Sequence, residues 1–148
     1  MRSRTATWFV CKVKYEKVQE DGLVKKVSEQ YVVDAISFGE AEERIIEEMS
    51  QCISGEFEVE DITKAPFKEI FFDERDEADR WYKAKLEFIT IDERTDKEKR
   101  SSVVYLVEAG TLNGAIKNVD EVMGGTMIDY DSVAVQEMKF IDVFEHQA

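Results

Sequence analysis

The sequence predicts an α+β protein: a β-β-α-β unit written twice with pseudo-twofold symmetry, mainly antiparallel sheet with two helices. Three observations carry this prediction. Apolar and polar residues alternate over long stretches, the period-two pattern of half-buried strands. Two other stretches place apolar residues three and four apart behind a Ser or a Thr, as amphipathic helices do. The third is repetition, since Trp8-Phe9-Val10-Cys11-Lys12-Val13-Lys14-Tyr15 recurs 73 residues on as Trp81-Tyr82-Lys83-Ala84-Lys85-Leu86-Glu87-Phe88. Tyr31-Val32-Val33-Asp34-Ala35 recurs as Tyr105-Leu106-Val107-Glu108-Ala109, an offset of 74. Phe38, Ala41, Ile45 and Met49 recur as Leu112, Ala115, Val119 and Met123, and Phe67-Lys68-Glu69-Ile70-Phe71 recurs as Phe140-Ile141-Asp142-Val143-Phe144. Shared alternation alone does not reproduce order, offset and apolar class together.

The elements follow in order. Residues 1–7 are expected to form a flexible arm, 8–72 the first repeat, 73–80 an acidic linker and 81–145 the second repeat, all within one compact domain. In the first strand, Phe9, Cys11, Val13 and Tyr15 face one way and Trp8, Val10, Lys12 and Lys14 the other. Asp21-Gly22 supplies the hairpin turn, since Gly tolerates positive φ. The second strand puts Tyr31, Val33 and Ala35 on one face. Ser37-Phe38-Gly39-Glu40 reads as a capping box, and Phe38, Ala41, Ile45, Ile46 and Met49 form the stripe of the helix that follows, with Glu42, Glu43, Glu47 and Glu48 facing water. Ser54-Gly55 ends the connection and Phe57 to Ile62 begins a third strand, which Pro66 interrupts because it has no N–H to give a ladder. The strand-like residues Phe67 to Phe72 are available to pair with the other unit and stitch the two together.

The second repeat has strands over Trp81–Ile91 and Ser102–Ala109, joined by a turn at Arg94-Thr95-Asp96. Thr111 is the expected N-cap, Leu112, Ala115, Val119, Val122 and Met123 form the stripe, and Gly124-Gly125 stops the helix. Tyr130 to Phe144 is the last extended stretch. A lone β-β-α-β unit has only a marginal core. Two copies remedy this by joining edge to edge into one sheet or by packing helix faces together.

Composition narrows the function. With 148 residues and 17.1 kDa the chain is the size of one domain or of two very small ones, and 43% hydrophobic residues are enough for a core. Its apolar runs are too short to span a membrane, and no apolar region follows Arg2 and Arg4 as a secretory signal requires. Thirty-three acidic residues against 20 basic give a charge of −13, which repels nucleic acid and anionic lipid and favours basic or neutral partners. Cys11 and Cys52 form no disulfide framework, so the cytoplasm is the expected compartment. His146 lies near the chain end, where fraying is common, so histidine-based catalysis and metal binding are not expected.

Few residues suggest chemistry. Gly110 and Gly114 flank a helix start without a phosphate-loop pattern. Asp73, Glu74, Asp76, Glu77 and Asp79 lack the spacing and turning Gly of a calcium loop and read as a solvated linker. Glu40, Glu43 and Glu47 share a helix face but have no cleft in which to do acid–base work. No enzyme activity, catalytic residue, cofactor or metal is therefore expected. The suggestive pattern is Trp8, Lys12 and Lys14 recurring as Trp81, Lys83 and Lys85. Aromatic stacking plus phosphate neutralisation is how open sheets hold single-stranded nucleic acid. The competing reading has the tryptophans covering a sheet edge or lying between the copies, and the lysines discouraging edge aggregation.

The opening Trp-Phe-x-Cys-Lys-Val-Lys-Tyr, the run from Val33-Asp34-Ala35 through Ser37-Phe38 to Glu40-Ala41-Glu42, and Ile53-Ser54-Gly55-Glu56-Phe57 resemble a small domain-of-unknown-function family of gut anaerobic bacteria and of their phages and mobile elements. The resemblance covers about residues 8 to 145. It implies no activity, cofactor or catalytic residue, and its phage association raises a DNA-associated or host-interaction role. The expected function is a non-enzymatic protein-interaction or assembly module, self-associating or binding another protein. The alternative is a single-stranded nucleic-acid-binding protein using Trp8, Lys12, Lys14, Trp81, Lys83 and Lys85.

Overall fold

A computed structural model describes residues 1–146 of the chain. The fold is α+β, and its elements in chain order are β1 (Arg2–Thr5), β2 (Trp8–Val18), β3 (Val24–Asp34), α1 (Phe38–Cys52), β4 (Phe57–Lys64), β5 (Glu69–Phe72), β6 (Arg80–Asp92), β7 (Lys97–Ala109), α2 (Leu112–Met123), β8 (Asp129–Met138) and β9 (Phe140–Phe144). The strands make two sheets, ordered β1-β5-β7-β6-β8 and β4-β2-β3-β9, in place of the single edge-to-edge sheet that was one of the two expectations. Pairing is antiparallel except for β5 with β7 and β3 with β9.

The chain divides into two compact units that ignore the repeat boundaries. One comprises Met1–Thr5 and Pro66–Met138, the other Ala6–Ala65 and the chain from Lys139 onward. The segment that closes the first repeat thus belongs with the second, and the reverse.

In the unit built on β2, β3 and β4, period-two alternation aims Phe9, Cys11, Val13, Tyr31, Val33 and Ala35 at α1, which answers with Ala41, Ile45 and Met49. Ser37 caps α1 by accepting from the backbone N–H of Glu40 at 3.1 Å. The Glu40 carboxylate reaches back to the N–H of Ile36 at 3.2 Å, one residue upstream of the ideal capping box. Phe38 and Ile46, expected in the stripe, are 55% and 41% exposed, and Phe38 meets the sheet through an edge contact with Phe9. The hairpin turns where expected, with Gly22 at a φ of 82°.

The other unit repeats this plan. Tyr82, Ala84, Leu86, Tyr105, Val107 and Ala109 meet Ala115, Val119 and Met123 of α2. Thr111 caps α2 by accepting from the N–H of Gly114 at 3.0 Å. Gly124 closes the helix with a right-handed φ of −63°, so Gly there supplies no left-handed cap. Leu112, expected in the stripe, is 48% exposed. Asp96, in the expected turn, takes a φ of 54°, a conformation Asp tolerates better than most residues.

Several expectations need correction. Residues 2–5 form β1, an antiparallel partner of β5, in place of a flexible arm. β7 begins at Lys97, because Asp92 pairs with Lys97 and the hairpin register carries polar residues into the ladder. The last extended stretch breaks at Lys139 into β8 and β9, which lie in different sheets. Asp73, placed in a solvated linker, is 6% exposed. The expected pairing of Phe67–Phe72 with the other repeat is present, since Glu69, Ile70 and Phe71 of β5 run parallel to Tyr105, Leu106 and Val107 of β7.

Candidate functional site

The residues expected to hold nucleic acid do not form an open stacking surface. Trp8 is 1% and Trp81 5% exposed, so neither ring has a face free for a base. Lys12 and Lys14 lie on the face of β2 opposite α1, with their Nζ atoms 3.5 and 3.7 Å from the two carboxylate oxygens of Glu60 on β4. Lys83 is half-buried and Lys85 exposed, on the face of β6 opposite α2. Alternation placed all six side chains on the correct faces; what it could not supply is whether those faces are covered.

Each unit instead has a buried polar cluster where the incoming terminal strand meets the end of a central strand. In one unit Asp34, 3% exposed at the end of β3, accepts from the backbone N–H of His146 at 2.9 Å. Arg44 of α1 donates through Nη1 to the backbone carbonyl of Asp34 and holds Glu40 Oε1 at 3.1 Å through Nη2. The His146 ring has Nδ1 3.1 Å from Asp34 Oδ1 and Nε2 3.3 Å from Glu48 Oε1. The terminal histidine is thus fastened, against the expectation that it frays.

In the other unit Glu108, near the end of β7, accepts from the backbone N–H of Asp73 at 2.9 Å. Asn118 of α2 donates through Nδ2 to the backbone carbonyl of Glu108 at 2.9 Å and to Asp73 Oδ2 at 3.0 Å. Arg75 grips Asp73 with Nε at 2.9 Å and Nη2 at 2.6 Å. The Arg75 bonds hold the Asp73 carboxyl far below the usual carboxylate range, against the opposing effect of burial, with help from the N–H of Arg75 and from Asn118. The turn that delivers these residues crosses Gly110 so closely that a Cβ there would clash with the carbonyl oxygen of Glu77.

Two bonds of each cluster correspond. Asp34 and Glu108, Arg44 and Asn118, and His146 and Asp73 stand 74, 74 and 73 residues apart. In both, an acid side chain receives the backbone N–H that follows an incoming strand, and a helix side chain grips the carbonyl of the same acid. The aromatic stacks beside them correspond as well: Tyr31 on Phe144 at 5.6 Å, and Tyr105 on Phe71 at 4.7 Å. So do the β-bulges, between Lys12 and Val13 in one sheet and between Lys85 and Leu86 in the other. Sequence reasoning passed over Asp34 and Glu108 as strand residues. Their signal was an acid followed by Ala at the same place in both repeats, closing an otherwise apolar strand.

These clusters are fasteners with their donors and acceptors engaged. Other groups are perturbed by burial and by their neighbours. Burial pushes the Cys11 thiol up to about 12, which keeps it from acting as a thiolate at neutral pH. Burial and the Glu29 carboxylate, 2.6 Å from its hydroxyl, push Tyr15 up to about 12. Among the described residues no group of three or more His, Cys, Asp or Glu is placed to hold a metal ion, and no helix is long and apolar enough to cross a membrane.

The strands that end the sheets are β1 and β8 in one and β4 and β9 in the other. Met127, Ile128 and Val133, in and before β8, are 102%, 42% and 49% exposed. No curated protein and no solved structure matches the chain. A family model does match it, over residues 7–146, and the chain belongs to that family, Domain of unknown function (DUF4494).

Proposed function

We propose that this protein is a non-enzymatic interaction or assembly module built by internal duplication of a β-β-α-β unit, and that what it binds is protein. The duplication is supported by the matching fasteners, stacks and bulges. The observation that carries the binding reading is the contrast between buried tryptophans and exposed strand rims. Single-stranded nucleic acid needs aromatic faces for its bases; here both indoles are enclosed, Lys12 and Lys14 are paired with Glu60, and the chain carries a charge of −13. An exposed edge strand with apolar side chains suits another polypeptide, to which it offers unpaired backbone N–H and C=O groups.

Crosslinking of the full chain in its native cell, with identification of the joined peptides, tests this reading. The expected products join this chain to a second copy or to another protein. Tryptophan fluorescence titrated with oligonucleotides at low salt provides the contrast, with no quenching expected. Salt-sensitive quenching together with a lack of protein crosslinks would replace the protein-binding reading with the nucleic-acid one.

A further inference from the structure

The two sheets differ by one strand. Taken from their matching ends, β5-β7-β6-β8 answers to β9-β3-β2-β4, and only the first has a further strand, β1, outside it. The ladders beneath are alike. Glu69, Ile70 and Phe71 of β5 run parallel to Tyr105, Leu106 and Val107, and Asp142, Val143 and Phe144 of β9 run parallel to Tyr31, Val32 and Val33. The offsets are 73 along the incoming strand and 74 along its partner. The register irregularity of β9 falls before Asp142, so the matched stretch is regular.

The structure thus shows what covers one of these two edges. On β5 it is Arg2-Ser3-Arg4-Thr5, antiparallel, with Arg2 opposite Phe72, Arg4 opposite Ile70 and Thr5 opposite Glu69. Arg2 sets its guanidinium carbon 4.1 Å from the centre of the Phe72 ring and its Nε 3.5 Å from Glu74. On β9 the counterparts of Glu69, Ile70 and Phe72 are Asp142, Val143 and Glu145. A cation in the place of Arg2 meets a carboxylate there instead of a ring. Asp142 is exposed, and its Oδ1 accepts the N–H of Val143 at 2.8 Å. A local acceptor of this kind is an alternative to a ladder partner, and it serves Val143 where Ile70 has Arg4 opposite. From Phe140 to Glu145 the strand carries two acids and no basic residue, and Ile141 is 55% exposed.

From this we infer that the outer edge of β9 docks an extended basic segment of another protein, which adds antiparallel as the fifth strand of its sheet, as β1 does in the other. The inference rests on the protein-binding reading above and names the place and the chemistry of the partner. The chain's own β1 is already engaged on β5, so the segment comes from elsewhere. Main-chain hydrogen bonds hold it, while Asp142 and Glu145 select cationic side chains. Attraction between a basic segment and an acidic edge weakens as salt rises.

The test uses the strand that covers β5 as a probe. A C-terminally amidated peptide of residues 1–7, Met-Arg-Ser-Arg-Thr-Ala-Thr, is titrated to millimolar concentration into the full chain, with amide shifts followed by nuclear magnetic resonance at low and moderate salt. The amides of Asp142 to Glu145 are expected to move, less at the higher salt, and not at all with a peptide carrying Arg2→Glu and Arg4→Glu. Asp142→Lys is expected to raise the dissociation constant about tenfold, because like charges then face each other. Glu42→Lys, the same charge change on the exposed face of α1, should leave it within about twofold, being beyond a Debye-screened contact. Circular dichroism checks that both variants fold; Asp142→Ala serves if the lysine variant does not. The inference is overturned by β9 amides that stay still, by shifts confined to β5, or by Asp142→Lys and Glu42→Lys weakening the peptide equally. Protein crosslinks that map to another edge while β9 stays unresponsive would keep the interaction module and remove this docking site, so the two readings fail separately.

Discussion

Asp73 shows at the residue scale how a fastener depends on charge. Its carboxyl is held below its unfolded value, near 3.9, chiefly by Arg75. A depressed folded value gives stability that is present above the unfolded pKa and disappears as pH falls through the folded one. Asp73→Asn is accordingly expected to cost about 1–3 kcal/mol near pH 7, the cost of breaking a buried charge-assisted network. Urea unfolding of both proteins from neutral to acid pH should show the gap narrowing as the wild type protonates. A gap that stays constant with pH would mean that Asp73 acts through shape alone. Little of this was legible beforehand. Acids in a hydrophilic run look alike until tertiary structure brings Asn118 and Glu108 beside one of them. Trp8 and Trp81 fail for a related reason: periodicity assigns a face, and whether that face is wet depends on residues far away in sequence.

At the scale of elements the sequence reads far better, because the deciding chemistry is local. Ser37 and Thr111 cap their helices, Gly22 turns one hairpin, and the apolar residues of β2, β3, β6 and β7 that face the helices are the ones alternation selects. Ends were harder. β7 gains Lys97–Ser101 through hairpin register, a matter of backbone pairing that leaves no apolar trace. Ser37→Ala and Thr111→Ala are each expected to cost about 1 kcal/mol. Met49→Ala, at a site with no exposure, should cost about 2–5 kcal/mol. Phe38→Ala, in the same helix but half exposed and touching Phe9 edge-on, should cost well under half of that. Chemical denaturation ranks them; Phe38→Ala as costly as Met49→Ala would contradict the division of the stripe into a buried and an exposed part.

The whole molecule is organised by strand exchange between its halves. β5 leaves the first half of the sequence to lie between β1 and β7, and β9 leaves the second half to lie along β3. Pro66 stands at one crossing, and the single residue Lys139 separates β8 from β9 at another. Exchange answers the problem of size, since a three-stranded unit that gains a parallel strand from the other half buries more of the sheet face under its helix. The correspondence between the halves was legible in the order, offset and apolar class of matched residues; the second exchange was not, because β9 reads as a continuation of β8 and nothing local marks a change of sheet. Insertion of a specific protease site between Asp76 and Glu77, followed by complete cleavage and size exclusion under native conditions, tests the exchange most directly. The two fragments should remain together at the mass of the intact chain and separate only in denaturant. Fragments that part without denaturant, each keeping its own secondary structure, would show that each half closes its own sheet.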